Sequence, residues 1–377
     1  MPSIVDPAEA RGGGWTVTRG LIEAIHAALP EAEINCIAHP APDRGSHLLR
    51  QLTGVTRSAL GDELPAKGLF TRTRKFRNRL ANALAHELPD LVIINGADLF
   101  WVLDALPQDL PVVAVAQNIE QDLYARQVAL AIKKWPPLAR ILESDLQKLR
   151  QYEWDGMKRA GRVIFLSEED RSVAVNACPG IASRVIPPVF DYEPASREVK
   201  IRDRIRIGMF ADFTWWPNKL SLDWFMTEVW PSVTSNVELH LIGYGSEDAA
   251  RGEGRTVSHG IVRHARDAFP MCDFMIAPIV DGAGVKVKVA EALYNRVPIA
   301  ATSFAVRGLP LQARSAVSIF DSPGDWIAFL NGDATRSLAN RTVPLETAAW
   351  FSTRRVADLL GKFLAVSGSR LTARICW

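Results

Sequence analysis

A lysine and a glutamate set three residues apart, Lys288 and Glu291, close a stretch that reads Ala277-Pro278-Ile279-Val280-Asp281-Gly282-Ala283-Gly284-Val285-Lys286-Val287-Lys288-Val289-Ala290-Glu291-Ala292-Leu293. On a helix that spacing puts both side chains on one face. An ammonium group there can meet a phosphate, and a carboxylate one turn further on can accept hydrogen bonds from sugar hydroxyls. Upstream, Gly282, Ala283 and Gly284 make a glycine turn between an apolar run and the helical pattern. Backbone N–H groups and the positive end of the helix then face the cleft beyond the strand's carboxyl end, which is an anion site. A solvated Lys–Glu pair is the plainer reading of the same two residues, and it leaves the preceding strand and the glycine turn without a role.

Other groups carry less. The run Gly12-Gly13-Gly14 stands before a helical pattern at Trp15–Leu29 and serves equally as a phosphate contact or a strand-to-helix turn. Trp215-Trp216 suits stacking on a base, although packing in a domain core is the commoner use of such a pair. His39, His47, His240, His259 and His264 share no spacing and read as structural or solvated. Cys36, Cys178, Cys272 and Cys376 form no Cys-x-x-Cys pair and no zinc spacing, which points to a reduced, cytoplasmic setting. No dense Asp/Glu motif for a metal is present, and no cofactor is implied.

The elements that must position these groups follow from the apolar pattern. Short runs rich in Val and Ile alternate with longer amphipathic stretches, the signature of an α/β chain with parallel strands. Strands are predicted at Ser3–Asp6, Ile34–Ala38, Leu91–Asn95, Val112–Gln117, Val163–Leu166 and Arg184–Pro187. A second set is predicted at Arg204–Met209, Glu238–Ile242, Thr256–Ser258, Phe274–Ala277, Ile299–Thr302 and Val317–Phe320. Each set makes one doubly wound, Rossmann-like domain. Turn chemistry at Pro187–Pro194 and the charged run Arg197–Arg204 mark the linker, giving domains at 1–190 and 191–345. Residues 346–377 follow, with a helix predicted over Glu346–Leu364 that crosses back to the first domain. A chain of 377 residues supports two such domains. With 44 basic and 42 acidic residues it has no global field to hold nucleic acid. No basic segment followed by an apolar one opens the chain, and no run approaches the ~20 apolar residues of a membrane span.

Taken in order, Pro-x-x-Asp-Gly-Ala-Gly-Val-x-x-Lys-Val-x-Glu-Ala-Leu, then Asn295-Arg296-Val297-Pro298-Ile299-Ala300-Ala301-Thr302, then Arg307-Gly308-Leu309, resembles the donor half of GT-B glycosyltransferases, specifically the mostly retaining family 4. Gly208-Met209-Phe210 through Pro217-Asn218-Lys219 resembles the start of that family's second domain. His240-Leu241-Ile242-Gly243-Tyr244-Gly245 resembles its Leu-x-Ile-x-Gly-x-Gly strand end. Ile186-Pro187-Pro188-Val189, Ser167-Glu168-Glu169-Asp170 and Gln117-Asn118-Ile119-Glu120 are similar to the family's interdomain segment, its Ser-Glu-x-Asp and its His-Asn-x-Glu. The resemblance implies that Glu291 holds the nucleotide ribose, Lys288 and Lys219 the diphosphate, and Gly282, Ala283 and Gly284 the phosphate or sugar. It implies that Asp281 contacts the transferred sugar and that Gly13 and Gly14 close over the donor phosphates. Two positions depart from it. The family's two glutamates have seven residues between them, whereas Ala283 fills the first place and Asp281 lies two residues early. Gln117 replaces its histidine, and an amide is no general acid or base.

The expected protein is a metal-independent hexosyltransferase-like enzyme acting on a nucleotide sugar and a sugar or lipid-linked acceptor. A nucleotide-sugar epimerase on the same fold and a non-enzymatic two-lobed binding protein are the alternatives. A last pattern bears on the acceptor. Leu69, Phe76 and Leu80 fall on one helical face, while Lys67, Arg72, Arg74, Lys75, Arg77 and Arg79 crowd the others. The stretch reads as a basic amphipathic helix for an anionic membrane surface, with a solvated surface helix as the alternative. The expected location is cytoplasmic, peripheral on the inner face of the membrane.

Overall fold

The computed structural model describes residues 13–38, 53–194, 203–250, 254–364 and 372–376. The strand expected at Ser3–Asp6, Gly12 and most of the charged run Arg197–Arg204 lie outside them. The chain divides into two units, one of Met1–Ile186 with Ala357–Trp377 and one of Pro187–Val356. In chain order the strands are β1 (Glu33–Ile37), β2 (Leu91–Asn95), β3 (Val112–Ala116), β4 (Arg162–Phe165), β5 (Ala182–Val185), β6 (Ile205–Phe210), β7 (Val237–Ile242), β8 (Thr256–Ser258), β9 (Phe274–Ala277), β10 (Ile299–Ala301), β11 (Val317–Ile319) and β12 (Thr372–Cys376).

In the first unit the sheet runs β1-β12-β2-β3-β4-β5, every pair parallel. β2 and β3 are apolar on both faces and wholly buried, as a parallel sheet covered by helices requires. β12 was not expected, and it lies inside the sheet, Ile375 level with Cys36 on one side and Ile93 on the other. The single helix expected over Glu346–Leu364 is in pieces, Leu345–Ala348, Ala349–Phe351 and Thr353–Leu364.

The basic amphipathic stretch corrects a second expectation. It is two helices, Ala66–Thr71 and Arg74–His86, broken where the Thr73 hydroxyl accepts the Phe76 N–H and caps the second. Leu69, Phe76 and Leu80 are buried in the unit's core, with Phe76 edge-on to Trp101 at 5.5 Å between ring centroids. An apolar face already packed against protein has nothing to insert into a bilayer, so the expected insertion of Leu69, Phe76 and Leu80 is ruled out. Lys67 also turns inward to pair with Glu120, while Arg72, Arg74, Lys75, Arg77 and Arg79 stay exposed.

The second unit's sheet runs β11-β10-β9-β6-β7-β8, again all parallel. From β6 the chain winds outward through β7 and β8, then returns to β9 beside β6 and winds the other way. β6 and β9 therefore flank the point where the winding reverses, and the loops after them open the crevice in which such sheets bind ligands. The core beneath holds Phe225, Trp230, Phe274, Trp326 and Phe329, with Phe225 and Trp326 edge to face at 5.7 Å. Each such side chain contributes about 1.5–3 kcal/mol by leaving water.

Candidate functional site

Two loop-to-helix junctions meet at the reversal point. One leads from β6 into helix Trp216–Glu228, which has Pro217 in its first turn, and the other from β9 into helix Val287–Tyr294. The junctions are tied by side chains. The Ser221 hydroxyl donates to the Pro217 carbonyl at 2.6 Å and accepts from the Val280 N–H at 3.4 Å. Lys288 Nζ donates to Asn218 Oδ1 at 2.6 Å, and Asn218 Nδ2 donates to the Asp212 carbonyl at 2.8 Å. Between them the β9 loop makes its turn with Gly282 at φ 134° and Gly284 at φ 62°, a backbone open to residues without a Cβ.

Lys288 and Glu291 are held differently. Burial, then the charge of Lys286, lowers the Lys288 pKa to about 8, against the pull of Asp212. Glu291 is 3% exposed, and burial raises its carboxyl to about 7. Its Oε1 accepts from the Tyr192 hydroxyl at 2.9 Å, which partly offsets that rise. Tyr192 is itself fixed: Asn295 Nδ2 donates to its hydroxyl at 2.8 Å, and the Tyr294 hydroxyl donates to its carbonyl at 2.5 Å. Burial pushes the Tyr192 hydroxyl up, so it remains a donor across the neutral range. The result is a cation and a carboxyl of raised pKa one helical turn apart, beside a glycine turn at a helix N-terminus. Such a set can neutralise a diphosphate and accept from vicinal hydroxyls.

The other expected residues fall as follows. Asp281 Oδ1 accepts the N–H of Gly282 at 2.7 Å, so this carboxylate braces its own turn. Gly282 is buried, and Ala283 and Gly284 are half-buried. Lys219 is exposed in the first turn of helix Trp216–Glu228, next to Asn218. Trp215 is 46% exposed, which corrects the expectation of core packing for that residue. Gly13 and Gly14 begin helix Gly13–Ala28 of the first unit. There Gln117 Nε2 donates to Asn95 Oδ1 at 3.0 Å, and Asn95 Nδ2 donates to the Thr18 hydroxyl at 2.8 Å. Gln117 thus belongs to a neutral amide and hydroxyl cluster with no acid–base member. His240 is a satisfied core histidine, bonded to His259 at 2.8 Å and to Glu238 at 3.0 Å. Among the described residues no group of three or more His, Cys, Asp or Glu is placed to hold a metal ion.

Four participants were not singled out from sequence: Asn218, Tyr192, Asn295 and Lys286. Lys286 Nζ donates to the Gly284 carbonyl at 2.7 Å and lies 4.7 Å from the centre of the Phe304 ring. The Lys-x-Lys spacing before Glu291 was a signal for it. Tyr192 lies 99 residues from Glu291 and left none.

Residues 204–330 match the family model described as Glycosyl transferases group 1. No curated protein matches the chain. Among solved structures it is similar to Anabaena HepE in complex with UDP and glucose, with TM-score 0.59 and 14% identity over 95% of this chain and 96% of that one. It is also similar to sucrose-phosphate synthase of Thermosynechococcus elongatus, with TM-score 0.57 and 13% identity over 77% and 76% of the two chains. TarM gives TM-score 0.56 and 12% identity over 76% of this chain, which spans 58% of the TarM chain. At these identities the likeness to solved structures is one of fold.

Proposed function

We propose, from a glycosyl transferases group 1 domain at residues 204–330 in a glycosyltransferase of GT-B fold, that the protein moves a sugar from a nucleoside diphosphate donor to a hydroxyl acceptor. The observation that carries this reading is the pair Lys288 and Glu291, each held by a partner, at the reversal point of the second sheet. The leaving diphosphate gains negative charge as the sugar departs. Lys288, Lys219 and the amides of Gly282, Ala283 and Gly284 stabilise it, and this is why no metal is required in the mechanism. Glu291 accepts from the ribose hydroxyls. Asp281 contacts the sugar, and Gly13 and Gly14 the donor phosphates. Transfer is retaining, as the resemblance to the mostly retaining family 4 implies, and a donor phosphate oxygen then assists the incoming hydroxyl.

HepE was solved with UDP and glucose, so UDP and UDP-glucose are the first probes. The acceptor belongs to cell-surface polysaccharide, glycolipid or glycoconjugate assembly, on the cytoplasmic side and in part lipid-linked. Exposed Arg72, Arg74, Lys75, Arg77 and Arg79 add attraction to anionic surfaces. No helix among the described residues is long and apolar enough to cross a membrane. The test is calorimetry of nucleoside diphosphates on the protein, on Lys288→Ala and on Glu291→Ala. Loss of a charged partner lowers affinity roughly tenfold to a hundredfold. Unchanged affinity in both variants refutes the assignment.

A further inference from the structure

The first unit carries an exposed apolar and basic surface away from the helices in which it was expected. Helices Glu120–Lys134 and Ala139–Ala160 pack along one another as a hairpin, joined through Trp135–Leu138. Its base is tightly held. The buried Glu153 carboxylate accepts the N–H groups of Glu120 at 2.7 Å and Gln121 at 3.0 Å, capping the first helix. Tyr124 donates to Asp145 at 2.6 Å across the pair. From that base the first helix runs 15 residues, about 22 Å, to the tip. The tip backbone is ordered by hydrogen bonds from the Trp135 N–H to Ala131 at 2.8 Å and from the Leu138 N–H to Trp135 at 3.0 Å.

On this fixed tip Leu130 is 52% exposed, Trp135 59%, Leu138 43% and Ile141 38%. Lys133, Lys134 and Arg140 are exposed among them, and the sequence holds no acid between Asp122 and Glu143. Large apolar side chains interleaved with cations of one sign, on rigid backbone, match the two layers of a bilayer surface. Trp and Leu suit the boundary between head groups and acyl chains, and Lys and Arg suit the phosphates. We propose that the hairpin tip Leu130–Ile141 docks this protein on an anionic lipid bilayer. It is the charge complementarity that selects the lipid over other occupants. The proposal stands independently of the glycosyl-transfer reading, because neither the surface nor its test uses the donor site.

The full chain is sedimented with vesicles of phosphatidylcholine alone and of equal parts phosphatidylcholine and phosphatidylglycerol. Binding is expected to the second only, and to weaken with salt. Each basic side chain at such a surface is worth about fivefold in partitioning, so Lys133→Glu with Lys134→Glu lowers binding at least roughly 25-fold. Trp135→Ser with Leu138→Ser lowers it by more than about tenfold at unchanged charge. Arg74→Glu with Arg77→Glu, on the other exposed basic helix, lowers it less than the Lys133/Lys134 pair. Because all these side chains are exposed, the thermal unfolding midpoint stays at the parent value and reports an intact fold. Equal pelleting of hairpin variants and parent overturns the proposal, as does equal loss from the two charge pairs. Sedimentation without lipid gives a third decisive outcome: a dimer that Trp135→Ser with Leu138→Ser dissociates assigns the tip to a second copy and overturns lipid docking.

Discussion

Glu291→Gln keeps the side chain's volume and an acceptor for the Tyr192 hydroxyl while removing a charge from a site 3% exposed. Burial moves this carboxyl from 4.5 to about 7. A displacement of that size corresponds to about 3 kcal/mol between the two protonation states. The sign follows from proton binding. Between roughly pH 4.5 and 7 the unfolded chain has released a proton that the folded chain keeps, so stability is full below that window and falls as pH rises through it. Glutamine has no proton to lose. The variant is therefore expected to match the parent near pH 4 and to exceed it by about 3 kcal/mol near pH 8. For a unit of this size that is a rise of about 6–12 °C in midpoint.

Glu153 in the first unit is also raised to about 7 by burial, but it is common to both proteins and cancels in the difference. The assay is calorimetric or denaturant unfolding of parent and variant across that pH range. A difference that does not grow with pH, or a variant less stable near pH 8, refutes the burial argument. The same substitution is expected to weaken nucleotide binding. Gain of stability with loss of affinity is the mark of a carboxylate held against its own desolvation for the sake of a ligand.

Nucleotide affinity should be bell-shaped in pH, falling below about 7 as Glu291 takes a proton and above about 8 as Lys288 loses one. Titration of Lys288→Met should retain the acid limb alone, and an unchanged alkaline limb assigns it elsewhere. Sugar transfer should persist in chelator, and complete loss restored by a divalent metal counts against stabilisation by lysines and amides. Ile375→Asp places an unpaired carboxylate at a position 1% exposed between two strands and should cost more than about 3 kcal/mol by denaturant unfolding. A cost near zero removes β12 from the sheet interior.

The fold was legible where apolar runs are buried on both faces, as in Leu91–Asn95 and Val112–Ala116, because a parallel sheet writes that pattern directly into the chain. β12 hides its place because Thr-Ala-Arg-Ile-Cys sets a cation in the middle of a buried strand. Arg374 is tolerated there by reaching out to the Glu87 carbonyl at 2.8 Å. Its strand partners lie some 280 or more residues away, which no local pattern reports. The stripe Leu69, Phe76 and Leu80 shows a different limit. Period and composition locate an apolar face correctly, yet they are the same whether protein or lipid covers it. The hairpin tip shows the same limit from the other side: Leu130, Trp135 and Ile141 lie exposed, which their residue types alone do not report.

The donor site divides along the same line. Lys288, Glu291 and the glycine turn are neighbours in sequence, so their joint geometry follows from one helix and one strand end. What makes them a site is contributed from afar: Asn218, 70 residues away, orients the lysine, and Tyr192, 99 residues away, orients the glutamate. Chemistry that a single turn can assemble is therefore visible in the chain. The partners that orient each group, like the burial that first sets its pKa, become visible only in the folded chain, where the β6 and β9 junctions meet and Tyr192 reaches helix Val287–Tyr294.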